Sequence, residues 1–241
     1  MFCFPVTPTV LSDERVVLEP FDLSIHGEQL FNSFLPHPEL FTYLPWGPFP
    51  TLSAFHDWHH KRIASDPGST LFAVFPAADA SGAAPAIAGM IGLLNSSYTN
   101  ASTELGYIIL NPKHHATRLA HRAVRLLLHW CLDVPSEVEG TLGLRRVEWQ
   151  AHTANVRSAR VAERMGFVKE GVIRWNRVLP VEKVGVGRGE EKEDAAVASE
   201  RLKLRMGDGK PGRSSVLLSL CWDDWEDRVR EHVDKLVETF A

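Results

Sequence analysis

Cysteine is scarce in this chain. There are three in 241 residues (Cys3, Cys131 and Cys221), widely separated and without a CxxC spacing. That argues against a disulfide framework, and the apolar runs around Cys131 and Cys221 predict buried thiols in a reducing compartment. Excess basic charge is also missing: 26 Lys plus Arg face 30 Asp plus Glu, a formal net charge of −4. A nucleic-acid binder needs a basic face, so that class is not expected. No apolar run approaches the length of a membrane span. The opening MFCFPVTPTVLSDER has neither a basic start nor a long apolar stretch, so no signal peptide is read. With 44% hydrophobic residues, what is present predicts one cytoplasmic globular domain with a sizeable core.

Along the chain, residues 1–14 carry two prolines and read as a loose arm, and residues 15–241 as a single domain. Strands are predicted over 15–20, 69–75 and 87–94, and helices over 23–34 and 52–64. The run HPELFTYLPWGPFP (37–50) is aromatic and proline-rich, the composition of a loop that packs. Residues 181–213 are rich in Gly, Glu, Lys and Arg and read as a flexible insertion. A final strand follows over 214–222, then an amphipathic helix opened by Asp223 and Asp224. There is no internal repeat.

The most informative segment is ELGYIILNPKHHATRLAHRAVRLLLHW (104–130). Leu105, Tyr107 and Ile109 alternate as in a half-buried strand, and Asn111-Pro112 breaks it. From Arg118 onward Leu119, Ala123, Leu126, Leu127 and Trp130 recur at helical spacing, with Thr117 placed as the N-cap. A loop between a strand end and a helix start offers free N–H groups and the positive end of a helix dipole, a site suited to pyrophosphate. The second segment, RVEWQAHTANVRSARVAERMGFVKEG (146–171), reads as strand, short helix, Gly-Phe break and strand.

Together Glu104-Leu105-Gly106-Tyr107, Pro112, Asn155-x-x-Ser158, Gly166-Phe167 and Glu170-Gly171 resemble the acetyl-CoA-dependent N-acetyltransferases of the GNAT superfamily, most of all the RimJ/RimL-type subgroup. The resemblance implies an α/β (α+β) fold: a mixed, mostly antiparallel twisted sheet flanked by helices, with a parallel pair at its centre. It implies that acetyl-CoA enters between the central strands. Its pyrophosphate would lie on the amides of His115, Ala116, Thr117, Arg118, Leu119 and Ala120, and strand amides near Ile108 and Leu110 would polarise the thioester carbonyl. Arg118 stands where the family keeps a glycine, and offers its N–H only if its φ is negative.

Asn155 would contact the pantetheine arm or simply cap a helix. Ser158 inherits the role of donor to the leaving thiolate, because Ala162 occupies the place of the tyrosine many relatives use. Glu104 is the expected general base, against the alternative of a solvated strand-end carboxylate; His152 is the other candidate by its ordinary pKa. Tyr43, Trp46 and Phe49 would border the acceptor amine, or cover the core. The histidines of His56-x-x-His59-His60 and His114-His115 have no Cys or carboxylate cluster to complete a shell, so no metal is expected. The reading is an acetyl-CoA-dependent N-acetyltransferase acting on a primary amine, small molecule or protein N-terminus, compatible with a homodimer. The alternative is a degenerate GNAT fold that binds acyl-CoA or a protein partner without turnover.

Overall fold

The computed structural model describes residues 2–78, 84–180, 183, 203–205 and 210–238. Most of the insertion expected at 181–213 lies outside these. Among the described residues eight strands form one sheet: β1 (Leu11–Ser12), β2 (Val16–Pro20), β3 (Thr70–Pro76), β4 (Gly89–Ser97), β5 (Ser102–Leu110), β6 (Arg146–His152), β7 (Val168–Val178) and β8 (Gly212–Cys221). Their order is β1-β2-β3-β4-β5-β6-β8-β7, antiparallel throughout except for β5 beside β6. The expected sheet, with its central parallel pair, is therefore present.

Helices cover both faces. Asp22 caps α1 (Leu23–Phe34), accepting from Ser24 N at 2.8 Å, and Thr51 caps α2 (Leu52–His59), which runs on as a π-helical turn over His60–Ala64. Together with the aromatic loop they enclose a core of Phe41, Phe55, Trp58, Met90 and Ile109. The opposite face is packed by α3 (Leu119–Leu132), α4 (Val156–Arg164) and α5 (Arg230–Glu238). α5 continues from the short turn Trp222–Asp224 and the π-helical segment Trp225–Val229. No helix among the described residues is long and apolar enough to cross a membrane. Cys131 is fully buried as expected, while Cys221, at the end of β8, is half-exposed.

Residues 2–14 are not a loose arm. Phe4 is buried, the Phe2 ring stacks on Trp130 at 6.2 Å, and Cys3 N donates to Pro67 O at 2.7 Å. Two aromatics in five residues outweigh two prolines, because apolar area decides whether a segment packs. The far end of this arm is pinned by the buried guanidinium of Arg122 in α3. It reaches Asp13 at 3.2 Å and Glu14 at 2.7 Å, and donates to the Val237 carbonyl of α5 at 2.9 Å. The Asp13 side chain is itself only 8% exposed; its Oδ1 accepts from Arg15 N at 2.8 Å and Val16 N at 2.9 Å, and Arg125 lies 3.6 Å from Oδ2. Arg122→Met is expected to cost about 3 kcal/mol in urea unfolding, since it removes the charge from a buried ion pair and leaves a helix-end carbonyl without its donor. A loss below about 1 kcal/mol would show that the pin contributes little.

Candidate active site

The sheet opens along the line between β5 and β6. Their parallel pairing covers only Ser102↔Arg146, Thr103↔Val147 and Glu104↔Glu148, after which the strands part. β4 keeps hold of β5 to its end, at Gly89↔Leu110, and β8 holds β6 to His152↔Ser215, so each strand is anchored on its far side only. The result is a wedge floored by Glu104 and Glu148. Ladder hydrogen bonds alternate in direction along a strand. Since Asn111 N donates to Ala88 O on the β4 side, Ile109 faces that side too. The N–H groups of Ile108 and Leu110 therefore point into the opening.

Two bulges shape this edge. Tyr107 and Ile108 together oppose Ile91, with Tyr107 at φ 53°, and Asn95 and Ser96 oppose Thr103, with Asn95 at φ 51°. A left-handed residue in a strand marks a bulge that redirects a side chain. Here it aims the Asn95 amide at Glu104, donating to Oε2 at 2.6 Å.

Glu104 is only 6% exposed, so the solvated alternative does not hold. Burial pushes its carboxyl up to about 7, opposed by the Asn95 hydrogen bond and by the charges of Arg177 and Arg213. By its register with Glu148 it lies on the face that also carries Gln150 and His152. His152 is buried, its Nδ1 accepts from Ala154 N at 2.9 Å, and its ring lies 5.4 Å from that of Tyr43. Arg213 of β8 is buried on this side as well and donates to the Tyr43 carbonyl at 3.2 Å.

The acceptor-side loop divides its aromatics. Tyr43 faces His152, whereas Trp46 and Phe49 stack on each other and meet Trp58 at a tilt, against the second core. Both pack against that core while staying partly exposed. Lys183 ties this loop down, its ammonium donating to the carbonyls of Phe41 at 2.6 Å, Leu44, and Trp46 at 2.9 Å. Neither Asn95, Lys183 nor Arg213 was singled out by the sequence.

The phosphate loop differs from expectation in its cap. Arg118, not Thr117, is the N-cap of α3; the Thr117 hydroxyl instead turns back to the His114 carbonyl at 2.7 Å. Arg118 adopts φ 63° and Ala116 φ 63°, the left-handed conformation that glycine takes without cost and other residues at about 1–2 kcal/mol. The condition of a negative φ at Arg118 is thus not met, and the guanidinium reaches the Leu236 carbonyl at 3.4 Å. No side chain caps α3, and its first backbone bond is Arg122 N to Arg118 O, so the preceding amides of Leu119, Ala120 and His121 lie ahead of the helix's own ladder. His115 Nε2 lies 3.0 Å from the Leu110 carbonyl, joining this loop to the mouth of the wedge.

On the other face of β6, Trp149 is buried against Phe167 and its indole N–H donates to Ser158 Oγ at 3.0 Å. An accepted bond leaves the serine O–H free to donate elsewhere. Asn155 caps α4, its Oδ1 accepting from Ser158 N at 3.2 Å. Ala162 is fully buried beneath them. Glu170 is spent on structure: Arg146 forks onto both its oxygens at 2.7 Å and Ser219 adds a bond at 2.6 Å, holding its carboxyl down to about 2.

The acetyltransferase (GNAT) domain family matches residues 15–168 of the chain. No curated protein matches it. Among solved structures, a GCN5-related N-acetyltransferase from Brucella melitensis is similar with a TM-score of 0.70 and 25% identity, covering 97% of this chain and 88% of that one. A spermidine N-acetyltransferase from Vibrio cholerae, solved with CoA and spermine, has a TM-score of 0.61 and 13% identity over 89% of this chain and 100% of that one, a likeness of fold alone. The family match runs from just before β2 to the first residue of β7, well over half of the sequence, and the chain belongs to the GNAT family of acetyltransferases.

Proposed function

We propose that the protein transfers the acetyl group of acetyl-CoA to a primary amine. The observation that carries this reading is the wedge between β5 and β6, into which two backbone N–H groups point above a buried carboxylate whose proton affinity lies near neutrality. The residues fit the cosubstrate. The uncapped start of α3 suits pyrophosphate, and a chain lying along β5 could bond the Ile108 and Leu110 amides. Acetyl-CoA supplies the acyl group as a thioester.

The amine arrives mostly as ammonium near pH 7. Glu104 takes one proton, and the freed lone pair attacks the thioester carbon from the face that bears Glu104, Gln150 and His152. Negative charge develops on the carbonyl oxygen, where the Ile108 amide stabilises it. As the C=O bond re-forms the C–S bond breaks, and Ser158, fixed by Trp149, donates to the departing thiolate on the opposite face. The remaining nitrogen proton leaves to solvent.

Asn155-x-x-Ser158 with Ala162 in the usual tyrosine position supports a RimJ/RimL-type member. The three free thiols fit the cytoplasm. A coenzyme-binding module without turnover is the second reading, favoured by the left-handed Arg118 where glycine would be relaxed.

Two measurements test this. Acetyl-CoA at millimolar concentration is expected to raise Tm by binding only the native state, and an unchanged Tm would sink both readings. Release of free thiol in the presence of amines separates the enzyme from the binder. Ser158→Ala is expected to lower kcat roughly 10- to 1,000-fold with little change in coenzyme affinity; normal turnover would reduce the serine to a helix-start residue.

A further inference from the structure

The polar face of the wedge contains a buried cation that makes no ion pair with the described residues. Arg213 is 6% exposed, yet the one hydrogen bond it makes to described residues runs from Nη1 to the Tyr43 carbonyl. Its Nε is buried with no acceptor among the described residues. The nearest charges felt by its guanidinium are Glu104, which favours the cation, and Arg177, its β7 partner in the ladder, which opposes it. Burial dominates and pulls its proton affinity down to about 10. A buried guanidinium with an idle donor edge is expensive, and in folded proteins such charges are paired. Asn176, beside it on β7, is already committed: its Nδ2 bonds Gln150 at 2.6 Å and Ser215 at 3.1 Å.

Resting on the transferase reading above, we propose that Arg213 binds a carboxylate of the acceptor, so that the acetylated substrate is an amine that is also an acid, such as a free amino acid. The Nε–Nη2 edge of a guanidinium presents two parallel donors that match the two oxygens of a carboxylate. Arg177, exposed on the neighbouring strand, adds positive potential at the same end. Glu104 would face the ammonium. Opposite charges on the protein then meet opposite charges on a zwitterion: Glu104 and Arg213 lie on the same face of the sheet, and each feels the other's charge. A polyamine would instead bring a second cation against Arg213 and Arg177, so this site selects against the substrate class of the Vibrio cholerae neighbour.

The test uses matched trios: leucine, leucinamide and isoamylamine; phenylalanine, phenylalaninamide and phenethylamine; with spermidine as a further acceptor. Free thiol released from acetyl-CoA gives kcat/KM for each. The acids are expected to exceed their amides and decarboxylated amines by about a hundredfold or more, because the analogue leaves a buried donor unpaired. Arg213→Gln should abolish that preference by raising KM for the acids while leaving the neutral amines within a few-fold, a selective change that general misfolding would not give. The wild-type comparison alone suffices if the variant does not fold. Equal or better turnover of the amides or of spermidine overturns the carboxylate assignment and leaves the transferase standing. Thiol release from no amine, together with no stabilisation by acetyl-CoA, overturns both.

Discussion

Glu104→Gln is expected to make the protein more stable at pH 8 and nearly inactive at every pH. The carboxyl is held up to about 7 in the folded chain against an ordinary value of 4.5, chiefly by burial. A raised carboxyl binds its proton more tightly folded than unfolded, so the stability it contributes is full below about 4.5 and is lost as pH rises through 7. At pH 8 the native state keeps a buried anion, at a cost on the order of 3 kcal/mol for a shift of this size. Glutamine keeps the shape and still accepts from Asn95, without the charge. The gain in Tm should therefore be large at pH 8 and small at pH 5. Turnover should fall 100-fold or more, the usual contribution of a general base, and wild-type kcat should climb with pH through about 7. Thermal melts and initial rates at both pH values check this. A variant less stable than wild type at pH 8 would mean that Arg177, Arg213 and Asn95 already satisfy the anion.

Gly166→Ala is expected to be among the most damaging single substitutions. Gly166 has φ 88° and ends α4; a Cβ there would stand 2.3 Å from Val229 Cγ1 and 2.9 Å from Cγ2. The left-handed backbone costs about 1–2 kcal/mol, and forcing the segment that leads into α5 away from α4 costs about 1–3 kcal/mol more. Because α4 carries both Asn155 and Ser158, the loss should be read twice: as a lower urea midpoint, and as a fall in kcat in whatever fraction remains folded. A stability within 1 kcal/mol of wild type would show that Val229 can swing aside freely.

Much of this was legible in the sequence because it is local. The strand, loop and helix of 104–130 announce themselves by periodicity, Asn155 by capping chemistry, Gly166 by its place after a short helix. What escaped depends on partners distant in sequence. Asn95 reads as an ordinary polar residue until β5 lies beside it and the bulge turns it toward Glu104. Trp149 has the alternation of a core residue, and nothing in that pattern says its indole N–H meets Ser158 across the strand-to-helix turn. Arg213 was hidden by averaging: it ends a run whose composition reads as solvated, yet it is buried and donates to the Tyr43 carbonyl. The start of α3 was placed one residue early, with Thr117 as the cap in place of Arg118, because which residue turns left-handed is set by how the loop must meet Leu110 and α5.

The pin at Arg122 also has a consequence in time. It joins Asp13 and Glu14 to Val237, so one guanidinium closes contacts 109, 108 and 115 residues away along the chain. During synthesis at 5–20 residues per second, Arg122 is made roughly 6 to 23 s before Val237. Over that interval α3 exposes the side that α5 later covers, with its buried arginine short of one acceptor. The nascent chain is thus most vulnerable to aggregation and most dependent on holding factors late in translation, when the sheet is nearly complete and only the last helix is missing.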